Sequence, residues 1–344
     1  MSSPLHPKTK EIIGIVSGIL GGEAQTVLVG GSVRDTLLGK EPKDYDFATA
    51  LLPDEIEMRV RAAGKRAYTI GKRFGTIGFR HEGQVVEVTT FRSELYSPGS
   101  RKPAVTFTDD LYADLARRDF TINAIALDIH TSELVDPFLG AGDIEAGVLR
   151  AVGKPSHRFR EDPLRILRLI RFVARFGFAV DPNTAKAAAK QAYTLTTVST
   201  ERISTEMDAI LVAPQAAAGL QLMAELGLLS FAVPLLAVQF GYNQNTPFHR
   251  YTLWEHTVKT VEGVEPNIDL RWAALLHDIG KPFVRLEKPG RSTYVHHDRV
   301  GAILVGMLGR HLHWSAERLK YIQSLVRTHL DDTNPIRQSD NAAK

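Results

Sequence analysis

Over the first 150 residues the apolar positions fall in short, β-branched runs, Thr26–Val29, Thr76–Arg80, Gln84–Thr90 and Ile125–Ile129, broken by glycines and polar turns. Runs of this length predict strands of a mixed sheet, with helices near Pro53–Ala63 and Phe120–Ala126. From Pro163 the period lengthens. Leu164, Leu167, Ile170 and Val173 recur at helical spacing, and Ala185–Ala192 and Thr200–Leu211 continue the pattern. Tyr242–Pro247, rich in Asn and Pro, reads as a linker before a third block, Thr252–Leu330, which carries most of the histidines. The pattern therefore predicts an α+β chain divided at 1–150, 151–240 and 241–344, the first part a mixed sheet with helices and the other two helical. The last block, which stops at Lys344, is either whole or truncated.

Composition narrows the chemistry. The 344 residues contain no cysteine, which excludes disulfides, thiol nucleophiles and cysteine metal sites, leaving His, Asp and Glu as metal ligands and fitting a reducing cytoplasm. Met1–Lys10 lacks the apolar core of a signal peptide. The greasiest stretch, Leu222–Val238, is interrupted by Glu225 and Pro234, so no membrane span is expected. A net charge of +3 is too small to name a polyanionic partner. The distribution says more: six arginines lie between Arg158 and Arg175, and on a helix several would form one basic face suited to phosphates.

Two clusters of residue types carry chemistry. The run Val27–Asp35 passes from an apolar strand through Gly30 and Gly31 toward a helix containing Arg34. Paired glycines let backbone N–H groups approach a triphosphate, and the helix N-terminus with Arg34 favours its charge, although a plain tight turn shows the same glycines. About ten residues later comes Lys43-Asp44-Tyr45-Asp46-Phe47. In an extended strand Asp44 and Asp46 share one side while Tyr45 and Phe47 share the other. Two adjacent carboxylates repel unless a cation lies between them, and Mg2+ takes hard oxygen ligands and bridges to phosphates.

Gly30-Gly31-Ser-Val-Arg34-Asp35 followed by Asp44-x-Asp46 resembles the opening motif of the tRNA nucleotidyltransferase and poly(A) polymerase family, a branch of the polymerase beta superfamily. Further motifs follow in that family's order. Glu87–Arg92 looks like the strand bearing a third acidic residue, Arg117–Ile125 like the ribose-binding motif, and Asp136–Arg150 like the hinge after the head. Glu161-Asp162-Pro-Leu-Arg165-Ile-Leu-Arg168 resembles the nucleotide-selecting motif, and Glu201–Glu206 the helix behind it. The resemblance implies a polymerase-beta-like catalytic head, a helical neck and body, and transfer of CTP and ATP to the tRNA 3′ end in the cytoplasm. Catalysis would use Mg2+ at Asp44 and Asp46, with Glu87 either assisting or merely a surface carboxylate. Ribose would be read by Arg118 and Asp119 with Asn123 in support, the 2′-hydroxyl being both donor and acceptor. No membrane and no obligate protein partner are implied.

Base choice follows from the bases themselves. Adenine and cytosine place an amino donor beside a bare ring nitrogen, whereas guanine and uracil place a carbonyl beside a ring N–H. Asp162 as acceptor and Arg165 as donor, three apart on a helix, have the polarity that takes the first pair, with Glu161 holding the guanidinium in plane; a helix-start ion pair is the plainer alternative.

In the third block His277-Asp278-Ile-Gly-Lys resembles the signature of the HD phosphohydrolase superfamily, and His256 and His297 fit it as well. Imidazoles with a carboxylate suit Mn, Ni or Co. The final aspartate of that pattern has no evident counterpart before Lys344, so a purely structural HD domain is the alternative. Rival activities are a poly(A) polymerase, a CC-only or A-only enzyme, and an HD-type phosphohydrolase with an RNA-binding head. Ser93–Ala104 has the length of the loop that full CCA-adding enzymes carry, which argues against CC-only addition.

Overall fold

A computed structural model describes residues 5–95, 104–247 and 250–343; most of the Ser93–Ala104 segment lies outside the described residues. The chain forms two compact units, residues 1–161 and 162–344. Among the described residues no helix is long and apolar enough to cross a membrane.

The first unit runs α1 (Pro7–Leu20), β1 (Thr26–Val29), α2 (Gly31–Leu37), β2 (Tyr45–Thr49), α3 (Pro53–Ala62), β3 (Thr76–His81), β4 (Gln84–Thr90), β5 (Arg92–Leu95), β6 (Ala104–Phe107), α4 (Leu111–Ala116), β7 (Ala126–Asp128), β8 (Leu134–Val135), α5 (Gly140–Ala146) and α6 (Pro155–Glu161). Six strands form one mixed sheet in the order β3-β4-β2-β1-β7-β8, with β2 and β4 parallel. Alternation sorts their side chains: Tyr45, Phe47, Val86 and Val88 are buried, whereas Glu87 is exposed and Asp46 half-buried. Val27, Val29, Ala48 and Ala126 build a core with Phe91 and with Leu111 and Leu115 of α4. The helix expected at Phe120–Ala126 is instead one 3-10 turn, Thr121–Asn123, running into β7. Three β-branched or aromatic residues in four weaken helix propensity there, and Ala126 pairs with both Val29 and Val135.

The second unit is helical: α7 (Leu164–Phe176), α8 (Pro182–Lys190), α9 (Thr200–Leu211), α10 (Ala216–Glu225), α11 (Leu229–Ala232), α12 (Pro234–Ala237), α13 (Leu253–Gly263), α14 (Ile268–Leu276), α15 (His297–His311), α16 (Ala316–Arg327) and α17 (Arg337–Ala342). The apolar stripe of α7 packs on α9 and α10. Asp208 of α9 accepts from Trp272 Nε1 at 2.6 Å and pairs with Arg318 at 2.8 Å, tying α14 and α16 to the earlier helices. The arginine-rich run is divided between helices, with Arg158 and Arg160 on α6 and Arg165, Arg168, Arg171 and Arg175 on α7.

Candidate functional sites: an acidic strand pair and a histidine cluster

In the first unit the parallel register of β2 and β4 sets Asp46 opposite Glu87, and the residue opposite Glu87 on its other side is Gly78. Asp44 stands exposed just before β2. Burial pushes the Asp46 carboxyl up to about 6; Glu87 and Asp44 add to the rise, and Arg118 and Arg34 oppose it. Ser32, 1% exposed and not anticipated from sequence, staples the glycine turn to this strand. Its hydroxyl donates to the Asp44 carbonyl at 3.1 Å and accepts the Asp46 N–H at 2.9 Å.

The glycine turn approaches the cations closely. Gly30 caps α2 at φ 66°, a left-handed conformation suited to glycine, and a Cβ there would lie 2.8 Å from Arg118 Nη1. Arg34 donates to Asp35 at 2.8 Å and to Asn123 Oδ1 at 2.5 Å, and Asn123 donates in turn to Asp119 Oδ1 at 3.0 Å. Arg118 takes Asp114 as an ion-pair partner at 3.0 Å, and Arg117 shares that carboxylate at 2.7 Å. Asp114 is fully buried; burial alone would raise its carboxyl, but the two guanidinium groups hold it below the usual range. Sequence reasoning passed over Asp114 because its value is set by what surrounds it, and the only local signal is its i,i+3 and i,i+4 spacing to two arginines. In the hinge motif Asp136 caps α5 through the Gly140 and Ala141 N–H groups, and Asp143 accepts from Thr121 at 2.6 Å and pairs with Arg150 at 3.2 Å.

Glu161 ends the first unit, where it pairs with Arg158 at 3.1 Å. In the second unit Asp162 accepts the Leu164 N–H at 3.2 Å and pairs with Arg202 of α9 at 2.8 Å. Arg165, one turn on, is buried, and Arg168 lies over the ring of Phe172.

The histidines of the second unit converge. A capping box of Thr252 with Glu255 starts α13 and sets His256, His277-Asp278 end α14, His297 starts α15, and His329 follows α16. Gly280 allows the approach of α15, since a Cβ there would meet the His297 carbonyl at 2.2 Å. His256 Nε2 lies 3.0 Å from His277 Nε2 and 3.1 Å from Asp340 Oδ1, and His297 Nε2 lies 3.2 Å from Asp278 Oδ1. Asp340, on α17, is the acidic residue that the sequence left without a counterpart. Its helix docks where Gly263 leaves room for Ser339, 79 residues away from its acceptor Thr260. Asp340 and His329 complete two overlapping groups of potential metal ligands, His256, His277, Asp278 and Asp340 in one and Asp278, His297 and His329 in the other.

Electrostatics here run opposite to those of the acidic strand pair. Burial disfavours a charged His277, but Asp278 and Asp340 outweigh it and push it up to about 10; both carboxyls are held well below their usual range. Burial takes His329 down to about 4. A cavity of about 310 Å³ lined by Lys281, Arg291, Tyr294, His297, His329 and Asp340 opens beside the cluster.

The Poly A polymerase head domain matches residues 26–150, the probable RNA and SrmB-binding site of polymerase A residues 177–240, and the HD domain residues 253–343. Nucleotidyltransferases of the first kind and HD proteins are metal-dependent families, and the histidine cluster offers such ligands. The CCA-adding enzyme of Geobacillus thermodenitrificans is 38% identical over 305 residues, 87% of this chain and 70% of that protein. That of Geobacillus stearothermophilus is 36% identical over 322 residues, 92% and 75% of the two chains. The crystal structure of the Bacillus stearothermophilus CCA-adding enzyme in complex with CTP matches with a TM-score of 0.62 at 31% identity, over 98% of this chain and 82% of that one. A polymerase-type head, a helical continuation and an HD domain in one order, with identity of this extent, mean that the chain belongs to the CCA-adding enzymes.

Proposed function

We propose that the chain completes and repairs the 3′-terminal CCA of tRNA from CTP and ATP, with residues 1–150 as catalytic head, 151–240 as neck and body, and 241–344 as an HD-type domain. The observation that carries the reading is the juxtaposition of Asp46 with Glu87 beside Asp44, with Arg34 and Arg118 close enough to shift the Asp46 carboxyl. Asp44 and Glu87 lie near enough to raise the Asp46 carboxyl, and the three offer hard oxygen donors of the kind that suits Mg2+. When bound, the metal neutralises phosphate charge and lowers the pKa of the attacking hydroxyl.

This chain's own residues then do the positioning. Asp44 and Asp46 hold the metal, and Glu87 tunes the pair. Gly30 and Gly31 leave room for phosphates, with Arg34 and Arg118 supplying charge; Arg118, Asp119 and Asn123 face the ribose. Asp162 and Arg165 read the base edge, with Glu161 and Arg168 completing the selecting motif. The pairing of Asp162 with Arg202 supports this reading, because it fixes the carboxylate's orientation before a base arrives. In the HD-type domain His256, His277 and Asp278 hold a transition metal such as Mn, Ni or Co, with His297 meeting Asp278 from the other ligand group, and the domain acts on phosphate esters; the convergent Nε2 atoms favour this over a purely structural role. A cytoplasmic setting fits the absence of cysteine.

The deciding experiment incubates the protein with tRNA lacking one, two or three terminal nucleotides and with each labelled triphosphate. Growth to the full CCA end and no further is expected. A long A tail, or arrest after CC, would replace this reading with the corresponding rival.

A further inference from the structure

We propose that Tyr68 is a stacking platform for the last base of the acceptor RNA, a positioning residue on the attacking side of the acidic strand pair; this rests on the nucleotide-transfer reading of the head.

Register brings the residues into line. Tyr68 makes a two-bond antiparallel bridge to Gly78, donating to its carbonyl at 2.7 Å and accepting its N–H at 3.0 Å. Gly78 of β3 stands opposite Glu87 of β4, and Glu87 stands beside Asp46 of β2. Directly paired residues point to one side of a sheet, so Tyr68, Gly78, Glu87 and Asp46 form a single row on the face that carries the carboxylates. At about 4.8 Å per strand, Tyr68 lies roughly 10 Å along that row from Glu87.

Gly78 leaves the row open between them. Its φ is outside the left-handed region, and among the described residues a Cβ there would meet the Val86 carbonyl at 3.7 Å and Tyr68 Cβ at 3.8 Å, both ordinary contacts. Glycine inside a strand weakens it, and a bare position often marks close approach of a ligand. Neither backbone nor crowding calls for glycine here. What it supplies is a slot between an aromatic ring and a carboxylate.

The order of the sheet says which reactant enters that slot. β1 and β7 lie on one side of β2, and β4 and β3 on the other. Gly30 and Gly31 follow β1, Asn123 precedes β7, and Arg118 approaches Gly30, so the groups assigned to triphosphate and ribose lie on the β1 side. Phosphoryl transfer sets the attacking and leaving oxygens roughly in line. With pyrophosphate leaving toward β1, the RNA 3′-hydroxyl attacks from the side of β4 and β3, where Tyr68 stands.

The ring has the surroundings that suit single-stranded RNA. Tyr68 is 39% exposed, the Arg66 guanidinium carbon lies 5.7 Å from its centroid, and Arg80, exposed and two residues beyond Gly78 in β3, shares its face. An aromatic face flanked by positive charge takes a base by stacking and the backbone by attraction. The terminal base also changes as the end grows, from the base that precedes CCA to C and again to C. A platform serving every round must be indifferent to base identity, and stacking is, because every base has a π-face.

The test uses the full chain and tRNA lacking CCA. KM for tRNA and KM for CTP are measured separately in CTP incorporation, and the same tRNA ending in 2-aminopurine is bound without CTP and its fluorescence read. The parent protein should quench the 2-aminopurine. Tyr68→Leu, in protein of native circular dichroism, should lose the quench and raise KM for tRNA about 10-fold or more, with KM for CTP within about 2-fold. Tyr68→Phe, which keeps the ring, should match the parent in both. Gly78→Val keeps Tyr68 but fills the slot, and should raise KM for tRNA with an unchanged melting midpoint. An unchanged KM for tRNA and quench in Tyr68→Leu, or a rise confined to KM for CTP, overturns the platform while CCA addition by the parent stands. Failure of the parent to extend this tRNA overturns the transfer reading and the platform with it.

Discussion

The acidic strand pair and the histidine cluster both gather carboxylates, yet they handle negative charge in opposite ways. In the head, burial together with Glu87 and Asp44 outweighs Arg118 and Arg34, and Asp46 is held up at about 6. In the cluster burial would raise both carboxyls, but Lys281, His277 and His256 draw Asp278 down, and His256 and His277 draw Asp340 down. A cation would relieve the first arrangement, which suits the Mg2+ site proposed there. The second is already neutralised by its own side chains, which suits tight retention of an ion in a buried, preorganised cage. Exposure separates them as well: Asp44 and Glu87 face solvent, whereas Asp278, at 3% exposure, does not.

The largest effect that can break this comparison is Asp46→Asn. Losing one of the paired carboxylates removes several kcal/mol of transition-state stabilisation, so labelled CTP incorporation into truncated tRNA should fall about 1000-fold or more, with the metal content of the cluster unchanged. Next come Asp162→Ala and Arg165→Ala, which should weaken discrimination of CTP and ATP over UTP and GTP by about 1–3 kcal/mol, roughly 5- to 150-fold, read as incorporation ratios. Loss of rate with an unchanged ratio would make these residues structural. Ser32→Ala leaves the Asp46 N–H without its acceptor, at a cost of about 1–3 kcal/mol of stability in a denaturant titration.

A pH series sharpens the electrostatic contrast. Because the Asp46 carboxyl lies at about 6 rather than 3.8, between about pH 4 and pH 6 the folded metal-free protein holds a proton there that the unfolded chain has lost. Its contribution to stability therefore declines as pH rises from about 4 to about 6. Mg2+ competes with that proton, so the rise in melting midpoint on adding Mg2+ should be larger at about pH 7.5 than at about pH 5. His277→Ala should produce the smallest change in nucleotide addition, within about 2-fold in protein that remains folded, while metal retention by the cluster falls. Abolished addition would show that the two sites are not separate.

The acidic pair was legible because its parts are close in sequence or share one alternating period. Asp44 and Asp46 are two apart at the entry to a strand, and Glu87 falls at the outward position of another run whose inward neighbours, Val86 and Val88, are plainly core. The strands at 26–29 and 84–90 and the helix at 200–211 were readable for the same reason, since burial on one side imposes a period. Ser32 was not legible: a serine after two glycines carries no period, and only folding brings it to the strand end 12 and 14 residues later. Asp340 was harder still. Its ligand role depends on a short helix docking against α13, and a single acidic residue among Gln338, Ser339 and Asn341 looks like any polar chain end. The Phe120–Ala126 error has the same root, because pairing partners in β1 and β8 outweighed local spacing.

The register that sets Asp46 across from Glu87 also has a consequence for folding fidelity. A slip of one residue between these parallel strands would turn Val86 and Val88 outward and drive Glu87 into the apolar layer that Tyr45 and Phe47 occupy. Burying an unpaired carboxylate while exposing two valines costs several kcal/mol, a large share of the stability of a domain this size. Molecules with misaligned acidic residues are thus thermodynamically handicapped at birth and open to clearance as misfolded chains. The hydrophobic pattern of two strands acts as an inspector of the chemistry on their reverse side, so that correctly packed copies carry their acidic residues in alignment.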